Sequence, residues 1–158
     1  MKIPANDECL CFHVRMASRL ITNVYDDYLK PANILSGQFT ILQALMNHGD
    51  SCGTDLSRRL GMDRTTLSRN MVPMIKKGLV EIVANGSDKR TKLYHITEKG
   101  VETFKEALVL WKHIQDKFGN FFEGGENPLF AIKDDISSLS NLAISFLPLQ
   151  KQHERTWN

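Results

Sequence analysis

Residues Cys52 to Gly78 read CGTDLSRRLGMDRTTLSRNMVPMIKKG, and this stretch decides the fold. Leu56 and Leu60 share one face of a short helix, Gly61 supplies a break, and Asp63 is a good N-cap for a second helix starting at Arg64. In that second helix Leu67, Met71, Met74 and Ile75 recur at helical spacing, which predicts that Arg64, Thr65, Thr66, Ser68 and Arg69 stand exposed at its start. Guanidinium forks match the two major-groove acceptors of guanine, and short hydroxyls reach phosphates or the thymine methyl, when a helix enters the groove by its N-terminal end. The competing interpretation is a solvated face on an ordinary core helix. A basic hairpin immediately downstream favours the nucleic-acid reading. Pro73 predicts a local kink well past the base-reading end.

The surrounding charge agrees. The net charge of the chain is only +2, yet residues 50 to 100 hold ten Lys or Arg against six Asp or Glu. A basic middle in an otherwise slightly acidic chain points to one polyanion-facing surface. With 158 residues, 42% of them hydrophobic, and no Gly/Ser or Pro-rich linker, one domain over 1–158 is expected. There is no signal-peptide pattern and no run of transmembrane length. An odd number of cysteines, three, makes no disulfide framework, so the expected compartment is the reducing cytoplasm.

Working outward, Leu10, Val14, Ala17, Ile21, Val24 and Tyr28 predict a long amphipathic helix over 7–30, stopped at Pro31. A second helix is expected from Ser36, with Ser36 as cap and Phe39, Leu42, Leu45 and Met46 as its buried stripe. After the helix-turn-helix, Val80, Ile82, Leu93, Tyr94 and Ile96 flank the polar string ANGSDKRTK and predict a β-hairpin whose register stays open. Such a hairpin is the wing of a winged helix. Lys89, Arg90 and Lys92 are then placed for the sugar-phosphate backbone or the narrow minor groove. Thr97-x-x-Gly100 opens a helix over 98–123, and a last helix over 128–147 carries Ile132, Ile136, Leu139, Leu142, Phe146 and Leu147. The predicted fold is mainly α with a small β-wing: a winged helix-turn-helix over 36–97 with long N- and C-terminal dimerisation helices. The outer helices are more apolar than a compact winged helix needs, which implies a homodimer.

The order of elements and several strings resemble the MarR family of bacterial transcriptional regulators. These strings are LSGQFTILQAL, the run DLSRRLGMDRTTLSRNMVPMIKKGLV, the wing string SDKR, and LYHITEKG. The resemblance implies a winged-helix homodimer on a pseudo-palindromic double-stranded DNA operator, a repressor released by a small-molecule effector or an oxidant. Carried over by position, it implies Arg64, Thr65, Thr66, Ser68, Arg69 and Asn70 as recognition residues, Arg90 as the groove-inserting wing residue, and Asp88 as the group orienting it. A narrower resemblance links CLCF at residues 9 to 12 to the organic-peroxide sensors of the family and implies Cys11 as the sensing thiol. Of the three tyrosine positions that surround the cysteine in those sensors, one matches Tyr25, and the others fall on Ser36 and Arg15.

The string Cys9-x-Cys11-x-His13 is a poor metal site on a helix, because residues two apart point to nearly opposite sides. No metal and no cofactor is therefore expected. No nucleophile, base and orienter set and no phosphate-binding glycine loop occurs, and the five histidines are scattered, so no catalytic residue is assigned and an enzyme is not expected. Two rival classes differ in observables. A protein-interaction winged helix that never touches DNA lacks a salt-dependent DNA affinity, and a thiol peroxidase consumes peroxide catalytically.

Overall fold

The computed structural model describes residues 9–86, 91–120 and 129–146. Among them the chain forms helix α1 (Leu10–Leu29), helix α2 (Ser36–His48), strand β1 (Ser51–Cys52), helices α3 (Gly53–Leu60) and α4 (Arg64–Lys76), strands β2 (Val80–Ala84) and β3 (Lys92–Ile96), and helices α5 (Glu98–Asn120) and α6 (Leu129–Ser145). The fold is mainly helical with a small antiparallel sheet, as the hydrophobic periodicity predicts.

Helix α1 begins three residues later than the expected 7–30 span: Cys9 is its N-cap, in extended conformation at φ −99°, ψ 107°. At its other end the chain tightens into a 3-10 turn at Lys30–Ala32, where Pro31 sits in the first turn and its missing N–H forfeits no bond. Ser36 does not cap α2. Leu35 occupies the N-cap position, the Gln38 side chain accepts the Leu35 N–H at 3.2 Å, and Asp26, reaching across from α1, accepts the Ser36 N–H at 2.6 Å. The buried face of α2 is also wider than a single stripe. Phe39, Ile41, Leu42, Ala44 and Leu45 are all buried, whereas Met46 is exposed, because α2 lies in the middle of the fold and is covered from several sides.

The helix-turn-helix follows its sequence signals. Gly61 adopts φ +58° after α3, with Met62 N–H donating to Ser57 O at 3.0 Å, and Asp63 caps α4. Helix α4 runs through Pro73 to Lys76 without interruption. The wing pairs β2 with β3 from Val80↔Ile96 to Ala84↔Lys92, which settles the register. Strand β1, which the sequence reading lacks, adds to the other side of β3 through Ser51↔Tyr94 and Cys52↔Leu93. Thr97 ties the wing to α5: its hydroxyl donates to Gly78 O at 2.7 Å and accepts the Gly100 N–H at 3.0 Å. At Gly100 the α5 backbone lies directly against the carbonyl of Leu79, so no side chain fits there.

The core joins α2, α3, α4, β2 and α5. Leu29, Ile41, Leu42, Leu45, Leu56, Met71, Met74 and Val80 are fully buried, each contributing on the order of 2 kcal/mol through loss of apolar surface to water. Phe39 stacks on both Phe104 and Trp111 of α5, with ring centroids 5.3 and 5.9 Å apart. Further along α5, Phe118 stacks on Tyr25 at 5.8 Å and Lys117 lies over the Tyr28 ring, which fixes α1 to α5. The outer faces of α1 and α6 remain uncovered: Leu10, Val14, Leu20, Ile21, Ile136, Leu142 and Phe146 are exposed. No helix among the described residues is long and apolar enough to cross a membrane.

Candidate nucleic-acid interface

Helix α4 divides cleanly into two faces. Leu67, Met71 and Met74 are buried against the core, and Arg64, Thr65, Ser68 and Arg69 are exposed on the opposite side. Asp63 sets the angle at which this face emerges, accepting the Thr66 backbone N–H at 2.9 Å and the Thr66 hydroxyl at 2.8 Å. These two bonds, with help from the Thr65 N–H and the Arg69 charge, hold the Asp63 carboxyl below the usual carboxylate range. The carboxylate also complements the positive end of the helix.

Two of the six sequence-assigned α4 residues have additional engagements. The Thr66 hydroxyl is spent on Asp63. Asn70 is half-buried, and its Nδ2 donates to Thr66 O at 2.9 Å. Its Oδ1 faces α2 so closely that a β-carbon at Gly37 would lie 2.9 Å from it. Conversely, Val72, absent from the sequence reading, is 64% exposed and lies three and four positions after Arg69 and Ser68. The helical spacing that located the buried stripe would have located it too.

Lys92 is exposed at the start of β3, opposite Ala84. Asp88, Lys89 and Arg90 lie outside the described residues. Several basic residues of the middle segment support the fold. Lys77 Nζ donates to Asn33 O at 2.5 Å, Lys99 Nζ to Lys77 O at 2.7 Å, and Arg58 pairs with Asp55 at 3.1 Å. His95 pairs with Asp50 at 2.7 Å and links the wing to the turn after α2. Cys9 and Cys11 are exposed, and the half-buried Cys52 donates its thiol to Asp55 at 3.3 Å. No cluster of three metal-ligating side chains occurs among the described residues.

Behind the exposed face of α4 lies a cavity of about 430 Å³, bounded by α1, α2, α4 and α5. Its apolar walls include Ile21, Leu29, Phe39, Met62 and Trp111, and its polar groups come from Thr22, Tyr25, Ser36, Thr40, Thr66 and Asn70. Burial raises the Tyr25 phenol above its ordinary value, so it stays protonated.

A helix-turn-helix with an exposed cationic and hydroxylic end, followed directly by a paired wing, defines a winged-helix DNA-binding regulator. Residues 31–91 match the model of the MarR family, and the M. tuberculosis transcriptional regulator MosR, solved in complex with DNA, is 31% identical with a TM-score of 0.75 over 87% of this chain and 97% of its own. The chain belongs to the MarR family of transcriptional regulators. The organic hydroperoxide resistance transcriptional regulator of Bacillus subtilis is 30% identical over 99 residues, 63% of this chain and 67% of that protein. The organohalide-sensing regulator RdhR, solved with bound 2,4-dichlorophenol, shares the fold at 22% identity and a TM-score of 0.79, covering 100% of this chain and 95% of its own.

Proposed function

We propose that the protein is a cytoplasmic, homodimeric repressor, one domain per subunit, that holds a pseudo-palindromic operator and leaves it when a signal arrives. The observation that carries this reading is the exposed stripe Arg64, Thr65, Ser68 and Arg69, aimed by the Asp63 cap. Two such helices related by a two-fold axis read half-sites about one helical turn, roughly 34–36 Å, apart. The uncovered apolar faces of α1 and α6 supply the dimer surface. Arg90 and Lys92 of the wing lie along the flanking backbone or minor groove, with Asp88 orienting Arg90 and Lys89 adding phosphate contact. The MosR complex with DNA supports the partner. Selection of bound duplexes from a random pool, followed by anisotropy titration across salt, tests the reading. A reproducible inverted-repeat consensus with a steep salt slope supports it; uniform binding of all sequences, or none, overturns it.

Two signals are open to this dimer. One is a small-molecule effector in the cavity behind α4, as the phenol-bound RdhR suggests. The other is oxidation of Cys11, favoured by its exposure at the start of α1 and by the likeness to the organic hydroperoxide regulator. A hydroperoxide would transfer one oxygen to the Cys11 thiolate, giving a sulfenate and the corresponding alcohol, and the added polar group would lie beside the apolar face of α1. Operator release by an organic hydroperoxide in wild type, Cys9→Ser, Cys11→Ser and Cys52→Ser proteins decides this second reading. Release that survives in Cys11→Ser excludes it.

A further inference from the structure

Val72 adds an apolar side chain to the exposed face of α4 and nothing to the core. It is 64% exposed. As a β-branched residue directly before Pro73 it is also a poor choice for helix stability, where Ala, Lys or Arg would serve better. An isolated exposed valine is ordinary on a protein surface. What sets this one apart is the face it shares. At 3.6 residues per turn, Thr65, Arg69, Val72 and Lys76 fall within about 60° of arc, opposite the buried Leu67, Met71 and Met74. Thr65, Arg69 and Lys76 are exposed as well.

That face continues along the whole helix. Arg64–Lys76 contains two arginines, one lysine and no Asp or Glu, so no carboxylate of α4 repels a phosphate backbone at any point of its length. Val72 lies about 4.5 Å beyond Arg69 along the axis, and Lys76 about 6 Å beyond Val72. These steps correspond to one or two base pairs at about 3.4 Å each. A major groove about 12 Å wide accepts a helix laid lengthwise. Within it the base edges present donors, acceptors and a single kind of apolar group, the thymine 5-methyl. An isopropyl group set against a donor or acceptor strips it of water without replacing the bond, whereas against the methyl it loses nothing. Valine also has one strongly preferred χ1 in a helix, so little side-chain freedom is lost on contact.

We propose that Val72 is a specificity-determining residue that packs on the 5-methyl group of a thymine in each operator half-site, one or two base pairs from the position contacted by Arg69. The inference rests on the regulator reading above and names a base contact of that same site. It also lays α4 lengthwise in the groove instead of end-on, since only then does Val72, on the third turn, meet the base edges.

The test crosses a protein substitution with a DNA substitution. Full-length wild type and Val72→Ala are titrated by anisotropy on the operator recovered from a random pool, with one thymine at a time replaced by deoxyuridine. That replacement removes the 5-methyl and leaves base pairing intact. Val72→Ala keeps the fold, because the position lies outside the core and alanine is the better helix former. At one thymine of a half-site, deoxyuridine should weaken wild type about fourfold, the share of one buried methyl. Val72→Ala should bind the unmodified operator at least about fourfold more weakly and should not distinguish thymine from deoxyuridine there. A purely structural effect of the substitution would instead lower the affinity for both duplexes alike and leave the methyl response in place. Wild-type affinity in Val72→Ala overturns the inference, as does a wild-type methyl response retained by Val72→Ala at every thymine, or indifference of wild type to all the replacements. Failure of the regulator reading shows earlier and separately, as the absence of any selected operator for the wild-type protein.

Discussion

Asp63 holds Thr66 twice, through the backbone N–H at 2.9 Å and the hydroxyl at 2.8 Å. This small arrangement fixes the first turn of α4, where the exposed stripe of Arg64, Thr65, Ser68 and Arg69 begins. Both bonds favour the charged carboxylate, so its folded pKa lies below its unfolded one. The cap therefore stabilises fully above the unfolded carboxylate range and is lost as pH falls through the lowered folded value. Asp63→Asn, which keeps an acceptor but no charge, should flatten the acid limb of the stability curve, and Asp63→Ala should lower the melting temperature and weaken operator binding together. Thermal denaturation against pH, compared with wild type, checks the first effect.

Substitutions at Arg69 and Arg90 test the two modes of contact proposed above. Arg69→Ala should cost about 1–3 kcal/mol on the selected operator and relax preference at one base position. Arg90→Ala should weaken all duplexes alike and reduce the salt slope. Anisotropy titrations on single-base operator variants at several salt concentrations distinguish them; interchange of the two patterns would mean that helix and wing have swapped roles.

Assembly is tested at the exposed apolar positions. Ile21 and Leu142 are 44% and 54% exposed in the single chain, so a charge at either is tolerated by the subunit fold but not inside a two-fold interface. Leu142→Asp and Ile21→Asp should yield monomers, or dimers weakened by orders of magnitude, in light scattering across concentration. A persistent Leu142→Asp dimer rules out this packing.

The joint between wing and α5 predicts a stability effect far from DNA. A β-carbon at Gly100 would collide with the Leu79 carbonyl and approach Ile96 Cγ1 to 2.8 Å. Backbone cannot yield as a flexible side chain does, so Gly100→Ala should destabilise by about 1–3 kcal/mol or more. Chemical denaturation measures it, and an unchanged midpoint would refute the close approach.

Local signals were legible in the sequence and non-local ones were not. Gly61 and Asp63 announce the turn and the cap because the groups they satisfy lie within five residues. Strand β1 could not be read from Ser51 and Cys52, since only pairing with Leu93 and Tyr94 makes it a strand. The bonding at the start of α2 was misread for the same reason: Ser36 offers a plausible cap, but Asp26, ten positions earlier, takes the N–H. The cavity was invisible as a residue string because its walls come from four helices and Met62. Asn70 shows the limit of assigning roles by helix position alone, for it borders both the outer surface of α4 and the space facing Gly37.

Phe39 belongs at once to the core, through its stacks on Phe104 and Trp111, and to the cavity wall. A substitution there changes the shape of the cavity only by disturbing the packing between α2 and α5. Thr22, Ser36 and Thr40 lie outside the buried core, so the rim of the cavity can be altered without touching its aromatic back wall.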